Sequence, residues 1–157
     1  LNRRAFDKEI VKIEKKYSLF NSNYAIVFYD IDYFKKINDN YGHDCGDAVL
    51  RTFAGVLKRL TRKEDVICRW GGEEFVVILN YDKEKEIVKY IKRVKELVRN
   101  SNFNYKANNI KVQFSAGVAY RDRYEKYQDV LNQADKYLYD AKNSGRNKVV
   151  LENGIKI

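Results

Sequence analysis

Arg69-Trp70-Gly71-Gly72-Glu73-Glu74-Phe75 is the stretch on which the fold turns. Apolar runs flank it, Asp65-Val66-Ile67-Cys68 before and Phe75-Val76-Val77-Ile78-Leu79 after. Two glycines between two such runs predict a tight β-hairpin with a primed turn, whose central residues need φ > 0. Two carboxylates follow the turn at once, and two readings stay open. One is a plain hairpin with charged exit residues. In the other, the glycines let a ligand approach the backbone closely, and the acids suit a metal ion that carries phosphate.

Outward from the hairpin, strand and helix patterns alternate. Tyr24-Ala25-Ile26-Val27-Phe28-Tyr29 is an unbroken apolar run of strand length, which predicts a strand buried on both faces. It runs into Asp30-Ile31-Asp32. Helical spacing marks residues 4–16, with Asn2 as cap and Asn21-Ser22-Asn23 as stop. It recurs over 33–38, over 46–60 with Asp44 as cap, over 82–99 and over 124–142 with Tyr137 turned inward. Residues 39–44 and 100–109 read as polar loops. Ile110, Val112, Phe114, Ala116, Val118 and Tyr120 alternate strictly, which predicts a half-buried strand. Ser144-Gly145 ends the last helix, and Lys148-Val149-Val150-Leu151 is a last strand. After a leading helix the order is β-αα-ββ-α-β-α-β. This predicts an α/β (α+β) fold, with helices packed on one sheet as in the ferredoxin-like split βαβ arrangement.

The 157 residues suffice for one domain with a real core, and 45% apolar content is a globular value. A first residue other than Met suggests an excised domain. No apolar run is long enough to span a bilayer. Cys45 and Cys68 form no metal-ligand or disulfide pattern, so a reducing cytosolic setting is expected. The net charge of +9 favours anionic partners. The basic residues are interleaved with acids, as in Lys83-Glu84-Lys85-Glu86, which is the pattern of a solvated helix surface and weak evidence for nucleic-acid binding.

Asp30 and Asp32 end one predicted strand, and Glu73 and Glu74 open another. Neighbouring strands would bring the two acidic pairs to one edge of a sheet. A buried strand that ends in acid is unusual unless the acid is solvated or bound to metal. Magnesium needs few protein carboxylates when substrate phosphates complete its shell.

These residues carry a resemblance. The chain resembles a GGDEF domain, the diguanylate cyclase family, in its GGEEF form. The likeness includes Leu1-Asn2-Arg3-Arg4, the run Asp30-Ile31-Asp32-Tyr33-Phe34-Lys35-Lys36-Ile37-Asn38-Asp39, and Tyr41-Gly42-His43-Asp44-Cys45-Gly46-Asp47. It continues through Arg69 to Phe75, Ala134-Asp135, and Ala141-Lys142-Asn143-Ser144-Gly145-Arg146-Asn147. Several separated motifs in order make it specific, and it makes residues 1–157 one domain.

The resemblance implies a mostly antiparallel five-stranded sheet, as in the palm of nucleotidyl cyclases, and the condensation of two GTP into cyclic di-GMP with release of pyrophosphate. It implies that Asp30, Glu73 and the Ile31 carbonyl hold two Mg²⁺ (or Mn²⁺) ions. Glu74, turned to the opposite face from Glu73 if the strand is regular, would support the site. Asn38 and Asp47 would read the guanine edge; Lys35, Lys142 and Arg146 would neutralise the triphosphate, the latter two reaching one anion. The backbone at Tyr33 and Phe34 would receive phosphate. Arg62-Lys63-Glu64-Asp65 matches the family's RxxD product-inhibition site, with Arg93 as its second arginine. One domain holds one GTP, so the active unit would be a homodimer. No nucleic acid and no membrane contact by this domain are expected. The setting would be cytoplasmic, with a longer parent protein tethered in some cases to the inner face of a bacterial membrane. The competing reading is a non-catalytic module that binds GTP or cyclic di-GMP. His43 and the cysteines are assigned no chemical role.

Overall fold

The computed structural model describes all residues, Leu1 to Ile157. Helix α1 (Arg3–Phe20) is capped by Asn2, whose side chain accepts from the Ala5 N–H, and closes at left-handed Asn21. Strand β1 (Tyr24–Ile31) follows, then α2 (Phe34–Tyr41), α3 (His43–Leu60), β2 (Val66–Arg69), β3 (Glu74–Asn80) and α4 (Glu84–Asn100). A small ribbon, β4 (Asn104–Tyr105) and β5 (Asn108–Asn109), precedes β6 (Phe114–Tyr120), α5 (Tyr127–Asn143) and β7 (Val149–Val150). The main sheet has five strands in the order β2-β3-β1-β6-β7, antiparallel except for the parallel β6–β7 pair.

The sheet is covered on both faces, and the pleat of β1 sorts its side chains between two cores. Tyr24, Ile26 and Phe28 meet α1 and α5 through Phe6, Ile10, Ala134 and Leu138. Ala25, Val27, Tyr29 and Ile31 meet α3 and α4 through Val49, Phe53, Ile91 and Val94. Alternation of this kind on a central strand needs apolar residues at every position, as the unbroken run predicts.

Several expectations are corrected. Neither Gly71 nor Gly72 has positive φ, so the hairpin does not close on a primed turn; the glycines that do adopt positive φ are Gly42, Gly145 and Gly154. Helix α3 is capped at Gly42, and Asp44 lies inside its first turn, where a carboxylate favours the positive end of the helix dipole. The predicted loop 39–44 is therefore only a corner between two helices. Residues 104–109 form a ribbon within the predicted loop 100–109. Strand β6 is buried at every position. Its alternate residues Ser115, Gly117 and Ala119 are small because α5 crosses close above them. A Cβ at Gly117 would overlap the Ala134 carbonyl and the Leu138 amide of α5. Smallness, not polarity, is the signal on that face. Tyr137 is half-buried, its hydroxyl donating to Glu152.

Candidate functional site

Pairing of β1 with β3 brings Asp30 opposite Glu74, and the Ile31 N–H donates to the Glu73 carbonyl at 3.3 Å. Directly paired residues project to the same face. Asp30 and Glu74 therefore share the face covered by α5, from which Lys142 donates to Asp30. Glu73 lies just outside β3, so the pleat does not fix the face to which its side chain points. Asp30 is buried. Burial pushes its carboxyl up, Lys142 pulls it back, and Glu73 and Asp32 add to the upward push. Glu74 is also pushed up, by burial first and then by Asp30, with Lys142 opposing and Glu73 and Asp135 adding. Asp30 and Glu74 thus share one face, with Lys142 bonded to Asp30.

The glycines have a spatial role here. A Cβ at Gly71 would meet the Glu74 carboxylate at 2.6 Å, whereas one at Gly72 would meet nothing. Gly71 clears room for Glu74, and Gly72 is open to whatever approaches from solvent. The Trp70 N–H donates to the Glu74 carbonyl at 2.8 Å and the Arg69 guanidinium to the Gly72 carbonyl at 2.8 Å, so the loop is held from both sides.

Asp32, the second acid of the strand end, is not part of the cluster's open charge. Its carboxylate accepts from Ser115 Oγ at 2.7 Å and from the Asn147 N–H at 2.9 Å. It braces β1 to β6 and to the turn after α5. That turn holds Gly145, Arg146 and Asn147, all at positive φ. Lys142 reaches Asp30, while the guanidinium of Arg146 lies 5.0 Å from the Tyr33 ring centre. Tyr33 itself is exposed, left-handed (φ 56°) and without a side-chain capping bond to α2. The first N–H groups of α2 thus have no side-chain acceptor at their cap, the arrangement that receives anions. Phe34 is half-buried and Lys35 exposed in that first turn.

Asn38 on α2 faces α3. Its Oδ1 is buried without a partner, and a Cβ at Gly46 would overlap it. Gly46 therefore exists to seat this amide, next to exposed Asp47. An isolated glycine in a helical pattern is the sequence signal for such close packing.

At the open end of the hairpin, Arg62, Asp65 and Arg93 line one cleft of about 280 Å³ floored by Tyr81, Ile87 and Tyr90. Asp65 accepts from the backbone N–H of Arg62 at 2.7 Å and of Asn80 at 3.0 Å. Arg62 lies 3.6 Å from Glu86. Tyr90 also receives a buried hydrogen bond from Tyr29, the residue before Asp30.

Two further residues hold the site in place. Asp32 is a brace, and Trp70 is an anchor: it packs edge-on against Phe6 and Phe28 and lies under the Arg3 guanidinium at 3.8 Å. The hairpin is thereby fastened to α1. Nothing local to Trp70 predicts this, because Phe6 and Arg3 are distant in the chain. His43 is exposed at the start of α3, and Cys45 and Cys68 are buried and free.

The family described as diguanylate cyclase, GGDEF domain, matches residues 1–148. The chain is 40% identical over 139 residues to diguanylate cyclase A of Treponema denticola, covering 88% of this chain and 36% of that protein. It is 38% identical over 152 residues to the response regulator PleD of Caulobacter vibrioides, covering 95% and 34% respectively. The chain thus spans about a third of the length of these curated relatives. Among solved structures it is similar to the diguanylate cyclase SiaD with its activator SiaC, from Pseudomonas aeruginosa (TM-score 0.89, 33% identity, 96% of this chain and 58% of that one). It is also similar to the GGDEF domain of DgcB from Caulobacter crescentus in complex with c-di-GMP (TM-score 0.88, 30% identity, 96% and 90%).

Proposed function

The chain belongs to the GGDEF family of diguanylate cyclase domains, and on that premise we propose that it condenses two GTP molecules into cyclic di-GMP, releasing pyrophosphate. The observation that carries this reading is the pairing of Asp30 with Glu74 on one sheet face, with Lys142 on Asp30 and Glu73 next in the chain, beside the uncapped start of α2.

The donor set fits a hard divalent cation. Asp30 and Glu74 face each other across the β1–β3 pair, and Mg²⁺ is an ion held by one or two carboxylates plus substrate phosphates. The upward push on Asp30 and Glu74 is relieved by added positive charge. Asp30, Glu73 and the Ile31 carbonyl would hold two Mg²⁺ or Mn²⁺ ions. When bound, these supply neutralisation of the phosphates and of the charge that develops during displacement.

The chain's own residues do the rest. N–H groups at Tyr33 and Phe34 receive phosphate, and Lys35, Lys142 and Arg146 balance the triphosphate charge. Asn38 and Asp47 read guanine, which offers one acceptor and two donor groups on its edge; the unpartnered Asn38 Oδ1 supports this assignment. The 3′-hydroxyl oxygen of one GTP bonds to the α-phosphorus of the other, the bond to the bridging oxygen breaks, and pyrophosphate leaves. Glu74, with its raised carboxyl, is suited to take the hydroxyl proton. One domain holds one GTP, so two copies face each other in a homodimer. The cleft at Arg62, Asp65 and Arg93 takes cyclic di-GMP as a brake. The work is done in the cytoplasm, without nucleic-acid or membrane contact by this domain; no helix is long and apolar enough to cross a membrane.

Incubation with GTP and Mg²⁺, with products identified by mass, tests the reading. Cyclic di-GMP is expected; its absence at concentrations where the protein dimerises overturns the proposal. Arg62→Ala is expected to weaken product binding in calorimetry while leaving initial turnover intact. Unchanged product affinity would remove the cleft from the scheme.

A further inference from the structure

A cleft of about 620 Å³ belongs to neither site described above. It lies between the C-terminal half of α4, the β4–β5 ribbon and the approach to β6. Its floor is apolar, built from Val98, Phe103, Ile110 and Phe114. Its walls carry Lys95, Arg99 and Lys111, with neutral amides between, and no carboxylate lines it. None of these three cations takes part in an ion pair, whereas Arg62, Arg121, Arg123 and Lys142 each have an acidic partner. The ammonium of Lys95 is pushed down, first by burial and then by the positive charges of Arg99 and Lys148. Lys95 is half-buried, with Arg99 and Lys111 exposed beside it; a partly buried cation with like charge nearby and no counterion costs free energy, and an anion bound there recovers it. The volume is that of a small-molecule site, not of a flat contact.

We propose that this cleft binds a nucleotide-sized polyphosphate, its phosphates on Lys95, Arg99 and Lys111 and its less polar part over the Phe103 and Phe114 floor. The inference does not rest on the cyclase reading. It gives one unabsorbed part of the chain's positive charge a ligand class. The occupant would also lie against Gln113 and Asn147, whose backbones hold Asp32: the Gln113 carbonyl accepts from the Asp32 N–H at 2.9 Å, and the Asn147 N–H donates to its carboxylate at 2.9 Å. The site thus adjoins the brace behind the acidic cluster.

Calorimetric titration of the protein with ATP, and separately with inorganic tripolyphosphate, in buffer with EDTA tests the proposal. Saturable binding of both is expected, tighter for ATP, and weakened about tenfold or more by Lys95→Gln/Lys111→Gln through loss of charge-assisted hydrogen bonds. An Asn38→Ala/Asp47→Ala protein, altered only where guanine would be read, is expected to keep this binding. If the double glutamine variant loses its native circular dichroism, exposed Arg99→Gln carries the same comparison, with about threefold weakening. No binding by the unaltered protein overturns the proposal. So does binding that Asn38→Ala/Asp47→Ala abolishes and the cleft variants leave alone, which would assign the anion to the cyclase site. Capture of phosphatidylserine vesicles through Lys95 and Lys111, with no affinity for ATP or tripolyphosphate, overturns it in favour of a lipid surface.

Discussion

The β2–β3 hairpin has two ends built on opposite terms. At the closed end, Asp30 and Glu74 share one face with Lys142 as the cation paired to Asp30, Glu73 is next in the chain, and burial pushes the Asp30 and Glu74 carboxyls up. At the open end, Asp65 has a backbone N–H on each carboxylate oxygen and Arg62 is 3.6 Å from Glu86. One end leaves negative charge in search of a cation; the other spends its acids on holding the chain. A carboxylate of the first kind is a candidate for chemistry, and one of the second kind is a candidate for stability. The cleft residue Tyr90 joins the two ends through Tyr29.

Substitutions should separate the two ends. Asp30→Asn or Glu73→Gln is expected to lower cyclic di-GMP formation by about 10³-fold, since metal binding contributes several kcal/mol to the displacement. The unfolding temperature should not fall, because like charge is removed; a variant that lost activity only by unfolding would break the contrast. Asp65→Ala should do the reverse. Two backbone N–H groups lose their acceptor, and a loss of about 2 kcal/mol is expected in urea unfolding, with initial turnover retained. Stability unchanged within error would deny Asp65 its bracing part.

Smaller effects sharpen the comparison. Glu74→Gln keeps the shape over Gly71 and removes repulsion, so the unfolding temperature should rise by about 1–3 °C. A fall would mean that Lys142 outweighs the acids. The smallest effect concerns pH at the open end. Hydrogen bonds from the Lys83 and Asp82 backbones, with Arg62 adding, hold Glu86 below its ordinary 4.5. A lowered carboxyl stabilises above its unfolded value and loses that stabilisation as pH falls through its folded value. Unfolding temperatures of the native protein and Glu86→Gln should therefore differ at neutral pH and converge as pH falls through the lowered folded value of Glu86. A gap that persists in acid would point to packing, not charge.

Much of this was legible in the chain. The unbroken run Tyr24–Tyr29 foretells a doubly covered strand, and the Gly-Gly stretch a hairpin, because hydrophobic pattern and turn composition are local properties. The resemblance drew Asp30, Glu73, Asn38 and Lys142 together before any coordinates. Other readings failed where the deciding partner is distant. The alternation of residues 110–120 looked half-exposed, since a glycine admitting a helix and a residue facing water are alike in sequence. The glycines of the hairpin looked like a demand on φ. Their use is spatial, and it depends on where Glu74 lies.

By itself, then, the sequence determined the family, the element order and the residue types that a two-metal phosphoryl transfer would need. Only the tertiary structure decided which acids stand free and which are tied. Asp32 and Asp30 are two residues apart with the same chemistry, yet one meets Ser115 and Asn147 and the other meets Glu74 and Lys142. The physical reason is that a carboxylate's cost and use are set by the donors and charges around it, and folding brings those from β6, β3 and α5.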